Sequence, residues 1–156
     1  MRTSFLAGLV LLAACGGEPQ AQSADASAPN APVLLQAHGT TTDVRGSPNC
    51  RIEFRTVNRG DLPLAVFSGR LEAVHATRGE ALNTVSLPQV GVAELNRGQL
   101  LAPGESGSVW PLNIRGLGCD QVHVDFGKFL CSFQGRPCGR IAVEQQGLAG
   151  ISAPQL

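Results

Sequence analysis

The chain has 156 residues, with twelve basic and twelve acidic side chains, a formal net charge of zero, and only six Phe, one Trp and no Tyr as aromatics. Balanced charge without a basic stripe leaves no electrostatic footprint for nucleic acid, and no run of like charge offers a polybasic membrane contact. The length allows one ordinary hydrophobic core rather than several.

The first fourteen residues have the parts of an export signal in order. Arg2 supplies positive charge, Phe5 to Leu12 is an apolar run broken only by Gly8, and the small residues Ala13 and Ala14 follow. The run falls well short of the roughly 20 apolar residues that a membrane-spanning helix needs. Leu12-Ala13-Ala14-Cys15 then resembles the bacterial lipobox at all four positions. That resemblance implies a signal peptide over 1–14, cleavage before Cys15, a diacylglycerol on the Cys15 thiol and acylation of the new amino group. Two or more acyl chains on one residue anchor stably, whereas a single chain binds marginally. Gly16 stands where an aspartate retains many Gram-negative lipoproteins in the inner membrane. The resemblance therefore implies lipid anchoring in the cell envelope, at the periplasmic face of the outer membrane in a Gram-negative cell.

Residues 16–32, GGEPQAQSADASAPNAP, contain no Val, Ile, Leu, Met or aromatic side chain. Such a segment has nothing to bury against its ordering entropy, so 15–32 is read as the lipidated cysteine followed by a disordered tether. Seventeen flexible residues span about 20–25 Å root-mean-square.

Residues 33–156 are read as a single domain built from short strands. Cys50, Ile52 and Phe54 alternate with Arg51, Glu53 and Arg55; Val122, Val124 and Phe126 alternate with Gln121, His123 and Asp125. Period-2 alternation marks half-buried strands. Turn signals punctuate the rest: Asn58-Arg59-Gly60-Asp61, Arg78-Gly79, Asn96-Arg97-Gly98, Pro103-Gly104, Arg115-Gly116 and Gln134-Gly135-Arg136-Pro137. Strands are expected near 33–38, 49–57, 63–76 (two, broken near Ser68-Gly69), 89–95, 107–114, 119–126, 128–133 and 138–145, with little helix. The expected fold is all-β, an immunoglobulin-like β-sandwich of about 7–9 short strands.

Part of this stretch resembles bacterial immunoglobulin-like and FxLYD-type sandwich domains. The matching residues are Phe54, Val57, Asn58, Gly60, Leu62, Leu64 and Val66, then Leu101, Pro103, Gly104, Glu105 and Ser106. The resemblance covers about half of the body and implies sandwich architecture only. The tryptophan that follows the first cysteine of immunoglobulin domains is missing, and without tyrosine there is no tyrosine corner.

With lipid on Cys15, four cysteines remain: Cys50, Cys119, Cys131 and Cys138. An even number in a small exported domain reads as two disulfides, and four cysteines allow three pairings. A hairpin tip over Phe133 to Pro137 favours Cys131–Cys138, which leaves Cys50–Cys119; pairing of Cys50 with Cys131 or Cys138 stays open. Structural zinc sites use cysteine pairs separated by two to four residues. No two of these four cysteines are that close.

Motifs that carry chemistry are sparse. His123 and Asp125 share one strand face and, with His75 or His38, form the one candidate metal or general-base constellation. Gly104-Glu105-Ser106-Gly107-Ser108 lacks the second glycine of a nucleophile elbow, and Gly116-Leu117-Gly118 lacks the third glycine of a dinucleotide loop. Phe129, Phe133 and Arg136, with Leu130 and Arg140 nearby, mark the disulfide-closed tip as a candidate interaction site, since aromatic and Arg side chains dominate interface anchors. These readings converge on a non-enzymatic, membrane-anchored module that binds another envelope protein, with no cofactor and no nucleic acid. The alternative is a small-ligand or metal-binding lipoprotein using His75, His123 and Asp125.

Overall fold

A computed structural model describes residues 30–82, 87–154 and 156. The expected leader, Cys15 and the tether as far as residue 29 lie outside the described residues. Ala31 and Pro32, at the end of the expected tether, are in contact with the body. Ala31 is buried, and the carbonyl of Pro32 accepts a hydrogen bond from the Arg59 N–H at 2.8 Å.

Strands run in chain order as β1 (Val33–Val44), β2 (Ser47–Asn58), β3 (Leu64–His75), β4 (Leu87–Gly91), β5 (Ser106–Arg115), β6 (Val122–Phe133), β7 (Arg136–Pro137), β8 (Ile141–Gln146) and β9 (Gly150–Ile151). One short helix, α1 (Ala93–Asn96), precedes β5, and a 3-10 turn at Cys119–Gln121 precedes β6. They form two sheets, one ordered β5-β2-β1-β8 and the other β4-β3-β6-β7, with β9 also pairing β6. The chain is a β-sandwich. Inward residues of both sheets interdigitate in one core that includes Val33, Leu35, Ile52, Phe54, Leu71, Val124 and Phe126. Phe54 meets Phe126 edge-on across the two sheets at 6.4 Å between ring centroids.

The alternation over 50–54 is realised in β2, where Cys50, Ile52 and Phe54 are buried and Arg51, Glu53 and Arg55 are exposed. Other segments differ from expectation for local reasons. β1 and β2 extend into a hairpin whose far half, Thr40 to Pro48, is exposed on both faces. The segment 64–75 is one unbroken strand, because Ser68 and Gly69 keep their pairing to Leu130 and Phe129. The two strands expected over 119–133 are a single β6. Gly127 and Lys128 together oppose Arg70, a bulge that moves the inward parity from Val122, Val124 and Phe126 to Phe129, Cys131 and Phe133. The strand expected over 89–95 stops at Gly91, and Ala93–Asn96 turns into α1.

Both disulfides follow the favoured pairing. Cys50–Cys119 joins β2 of one sheet to the turn that enters β6 of the other, with Cα atoms 4.8 Å apart. Cys131–Cys138 closes the β6–β7 hairpin at 5.4 Å.

Candidate functional site

The outer face of the four-stranded sheet carries an array of polar side chains placed by strand register. One cross-strand row runs Glu144 on β8, Gln36 on β1, Arg55 on β2 and Ser108 on β5. The neighbouring row runs Gln146, His38 and Glu53. Gln36, Glu53 and Arg55 point outward because their neighbours on the strand are buried, the period-2 rule applied to β1 and β2.

At the β5 edge the sheet is flanked by α1. The Glu94 carboxylate accepts the backbone N–H of Ser108 at 3.2 Å, and Val92 bridges to Val109. Arg97, just past the helix, has its backbone N–H fixed to the Glu94 carbonyl at 3.1 Å. Sheet and helix together bound an open groove of about 1050 Å³ whose lining includes Gln36, His38, Arg55, Arg97, Ser108 and Glu144.

The charges in this groove are unequally satisfied. Glu53 pairs with Arg51 at 3.0 Å. Glu144 takes Arg59 at 3.4 Å and the Gln36 amide at 3.1 Å. Glu94 is held by the Ser108 N–H. Arg55, Arg97 and His38 have no carboxylate within ion-pair reach among the described residues. Pairs as exposed as these contribute about 0–1 kcal/mol each, so they shape the site's charge more than its stability.

Compared with protein-family models, curated proteins and solved structures, the chain finds no significant match.

The other candidates separate in space. His123 Nε2 lies 3.2 Å from Asp125 Oδ1 on the outer face of the second sheet, as strand alternation requires. His75 faces the other way: it is buried, and its Nδ1 lies 3.2 Å from the Thr77 hydroxyl. His38 is on the other sheet. Among the described residues no three His, Cys, Asp or Glu side chains converge as a metal site.

Phe129 and Phe133 point into the core, carried there by the β6 bulge, and Phe129 packs against Phe67 and Phe126. Of the three tip residues only Arg136 is at the surface, 3.9 Å from Asp61. Leu130 takes the exposed place on that strand. Gly104 and Gly116 both form turns, with φ of 82° and 81°.

Arg55 and Arg97 escape a reading of the sequence as site residues. Arg55 is legible as an outward position on its strand. Nothing local says that it shares a row with Ser108, or that a four-residue helix brings Arg97 to the same groove. The face presents hydrogen-bond donors and acceptors, and among the described residues that line it no hydroxyl is bonded to a histidine. Ser108 and His38 stand on strands separated by β2, about 9–10 Å apart at ordinary strand spacing.

Proposed function

We propose that the protein is a lipid-anchored, non-enzymatic binding module of the bacterial cell envelope, tethered through Cys15 and engaging another envelope protein. The groove across the outer face of the four-stranded sheet carries this reading: a broad, polar, solvent-open surface held on two disulfide-linked sheets. Rigid elements position recognition groups better than loops do, and a groove spanning four strands suits an extended partner segment more than a compact metabolite. The lipobox-like Leu12-Ala13-Ala14-Cys15 and the apolar-poor stretch after it support anchoring at a distance from the headgroups.

Cross-linking the anchored protein in its native membrane, followed by affinity purification and mass spectrometry, tests the reading. A stoichiometric envelope protein cross-linked to groove residues is the expected result. Recovery of the uncross-linked chain alone across several growth conditions would overturn it.

A further inference from the structure

We infer that the groove recognises an extended protein segment bearing carboxylates, with Arg55 and Arg97 as its anchoring side chains and His38 as an additional donor. The inference rests on the binding-module reading and specifies the chemistry of the partner.

Three carboxylates line the groove, and each already has a partner: Glu53 has Arg51, Glu144 has Arg59 and Gln36, and Glu94 has the Ser108 N–H. Two guanidiniums and one imidazole lining the same groove have no carboxylate partner among the described residues. An incoming anion therefore meets available donors without first breaking an ion pair. An incoming cation would have to compete with Arg51 for Glu53 and with Arg59 for Glu144.

Placement supports one ligand rather than scattered surface charge. Arg55 occupies the middle of a row, with neutral Gln36 on one side and Ser108 on the other. His38 is its diagonal neighbour, since His38 faces Glu53 and Gln36 faces Arg55 across β1 and β2. Arg97 closes the β5 side, held by α1 through the Glu94 clamp on Ser108. Guanidinium forks match carboxylates in a bidentate geometry, which gives direction as well as attraction.

The groove's shape and remaining polar groups favour a peptide. It crosses all four strands, roughly 14 Å at ordinary spacing before the helix is added, which exceeds an isolated inorganic anion. The Gln36 and Gln145 amides already bond Glu144 and the Leu148 N–H but keep further donor and acceptor capacity, as does Gln146, of the kind a peptide backbone uses. A flat bilayer surface does not follow a concave groove bounded by a sheet face and a helix.

The test uses the full lipidated chain in neutral detergent micelles and follows the fluorescence anisotropy of labelled hexaglutamate, with hexaglutamine and hexalysine as controls. Saturable, salt-sensitive binding of hexaglutamate alone is expected. Arg55→Gln and Arg97→Gln should each weaken it about tenfold, the loss of one charge-assisted contact. Arg70→Gln, an exposed arginine on the other sheet, should leave it unchanged. Absence of hexaglutamate binding, or equal weakening by all three substitutions, would overturn the inference. So would displacement by glycerophosphoglycerol or inorganic phosphate at lower concentration than by unlabelled hexaglutamate, because the site would then be for phosphate headgroups or free phosphate. Self-association that hexaglutamate does not reverse, abolished by Arg55→Gln, would assign the groove to a second copy and also overturn it. Native-membrane cross-linking separates the two levels. A partner captured equally well by the Arg55→Gln/Arg97→Gln chain sinks the carboxylate inference alone, whereas no partner for the unsubstituted chain sinks the binding-module reading.

Discussion

The side-chain amide of Asn58 donates a hydrogen bond to the carbonyl of Leu101 at 2.8 Å, tying the end of β2 to a segment far along the chain. The same amide donates to the Leu62 carbonyl at 2.9 Å, and the Asn58 Oδ1 accepts the Gly60 N–H at 2.9 Å. The backbone of Asn58 is engaged as well: its N–H donates to Glu105 and its carbonyl accepts from Gly104. One fully buried asparagine thus fixes the β2–β3 loop and the turn into β5 together. Asn58→Ala should lower unfolding stability by about 2–3 kcal/mol, less than three separate bonds, because the Leu101 carbonyl keeps the N–H of Leu64. Urea denaturation followed by the emission of Trp110, the chain's single tryptophan, measures it. Asn58→Asp should be worse, since it removes both donors and turns a negative charge toward two carbonyls.

Two residues earlier on the same strand the opposite situation holds. Thr56 is buried between Leu35 of β1 and Gly107 of β5, and its hydroxyl has no hydrogen-bond partner among the described residues. Thr56→Val keeps the shape and removes an unsatisfied polar group, so a gain of about 1 kcal/mol in the same assay is expected. A loss instead would show that the hydroxyl is satisfied by buried water.

These two positions show what the sequence makes legible. The alternation around Cys50 to Phe54 reveals an inward face, but not that Thr56 sits on it without a partner. The Asn58, Gly60, Leu62 pattern can be recognised as a turn signal, and its cause is the Asn58 side chain closing on Gly60. The bulge at Gly127-Lys128 is invisible locally, because it is set by how many residues oppose Arg70 on another strand. That one-residue change of parity sends Phe129 and Phe133 inward, which the alternation of Val122, Val124 and Phe126 carried on unbroken would not do. The groove is less legible still: its outward strand residues alternate in plain view, but the rows come from pairing register, and Arg97 arrives from a helix too short to show a period.

The disulfides should differ in their effect on stability. Cys50–Cys119 closes a sequence separation of 69 residues and joins the two sheets, while Cys131–Cys138 closes a separation of 7 within one hairpin. Chain entropy assigns about 4.4 kcal/mol to the long loop and about 2.5 to the short one. The double variant Cys50→Ala/Cys119→Ala should therefore melt well below Cys131→Ala/Cys138→Ala. Calorimetry of the two proteins checks the order, and equal melting points would show that sheet pairing rather than the bridge holds the ends of the long loop.

The β1–β2 hairpin turns on Arg45 and Gly46, both left-handed, with φ of 57° and 80°. This is the pattern of a type I′ turn, and the Asp43 carboxylate accepts the Gly46 N–H at 2.8 Å to brace it. Arginine is the costly residue there, because a Cβ crowds the carbonyl in that conformation. Arg45→Asn should add about 0.5–1 kcal/mol, since asparagine enters the region more readily. The arm is exposed and Arg45 lies outside the groove, so hexaglutamate binding should not change.

Gly69 and Phe129 are direct partners across β3 and β6, and a Cβ on Gly69 would collide with the Phe129 ring. The ring lies over the glycine backbone and packs against Phe67 and Phe126 at centroid distances of 5.2 and 5.3 Å. Gly69→Ala must push the ring into that cluster or out of the core, at a cost of about 2–3 kcal/mol for overpacking. Phe129→Leu alone loses ring contacts and should also destabilise, but it clears the space above position 69. The double variant should therefore be more stable than the sum of the single losses predicts, with a coupling of about 1 kcal/mol or more between neighbours in contact. Urea denaturation of all four proteins measures the cycle. Strict additivity would mean that the ring already has room to move.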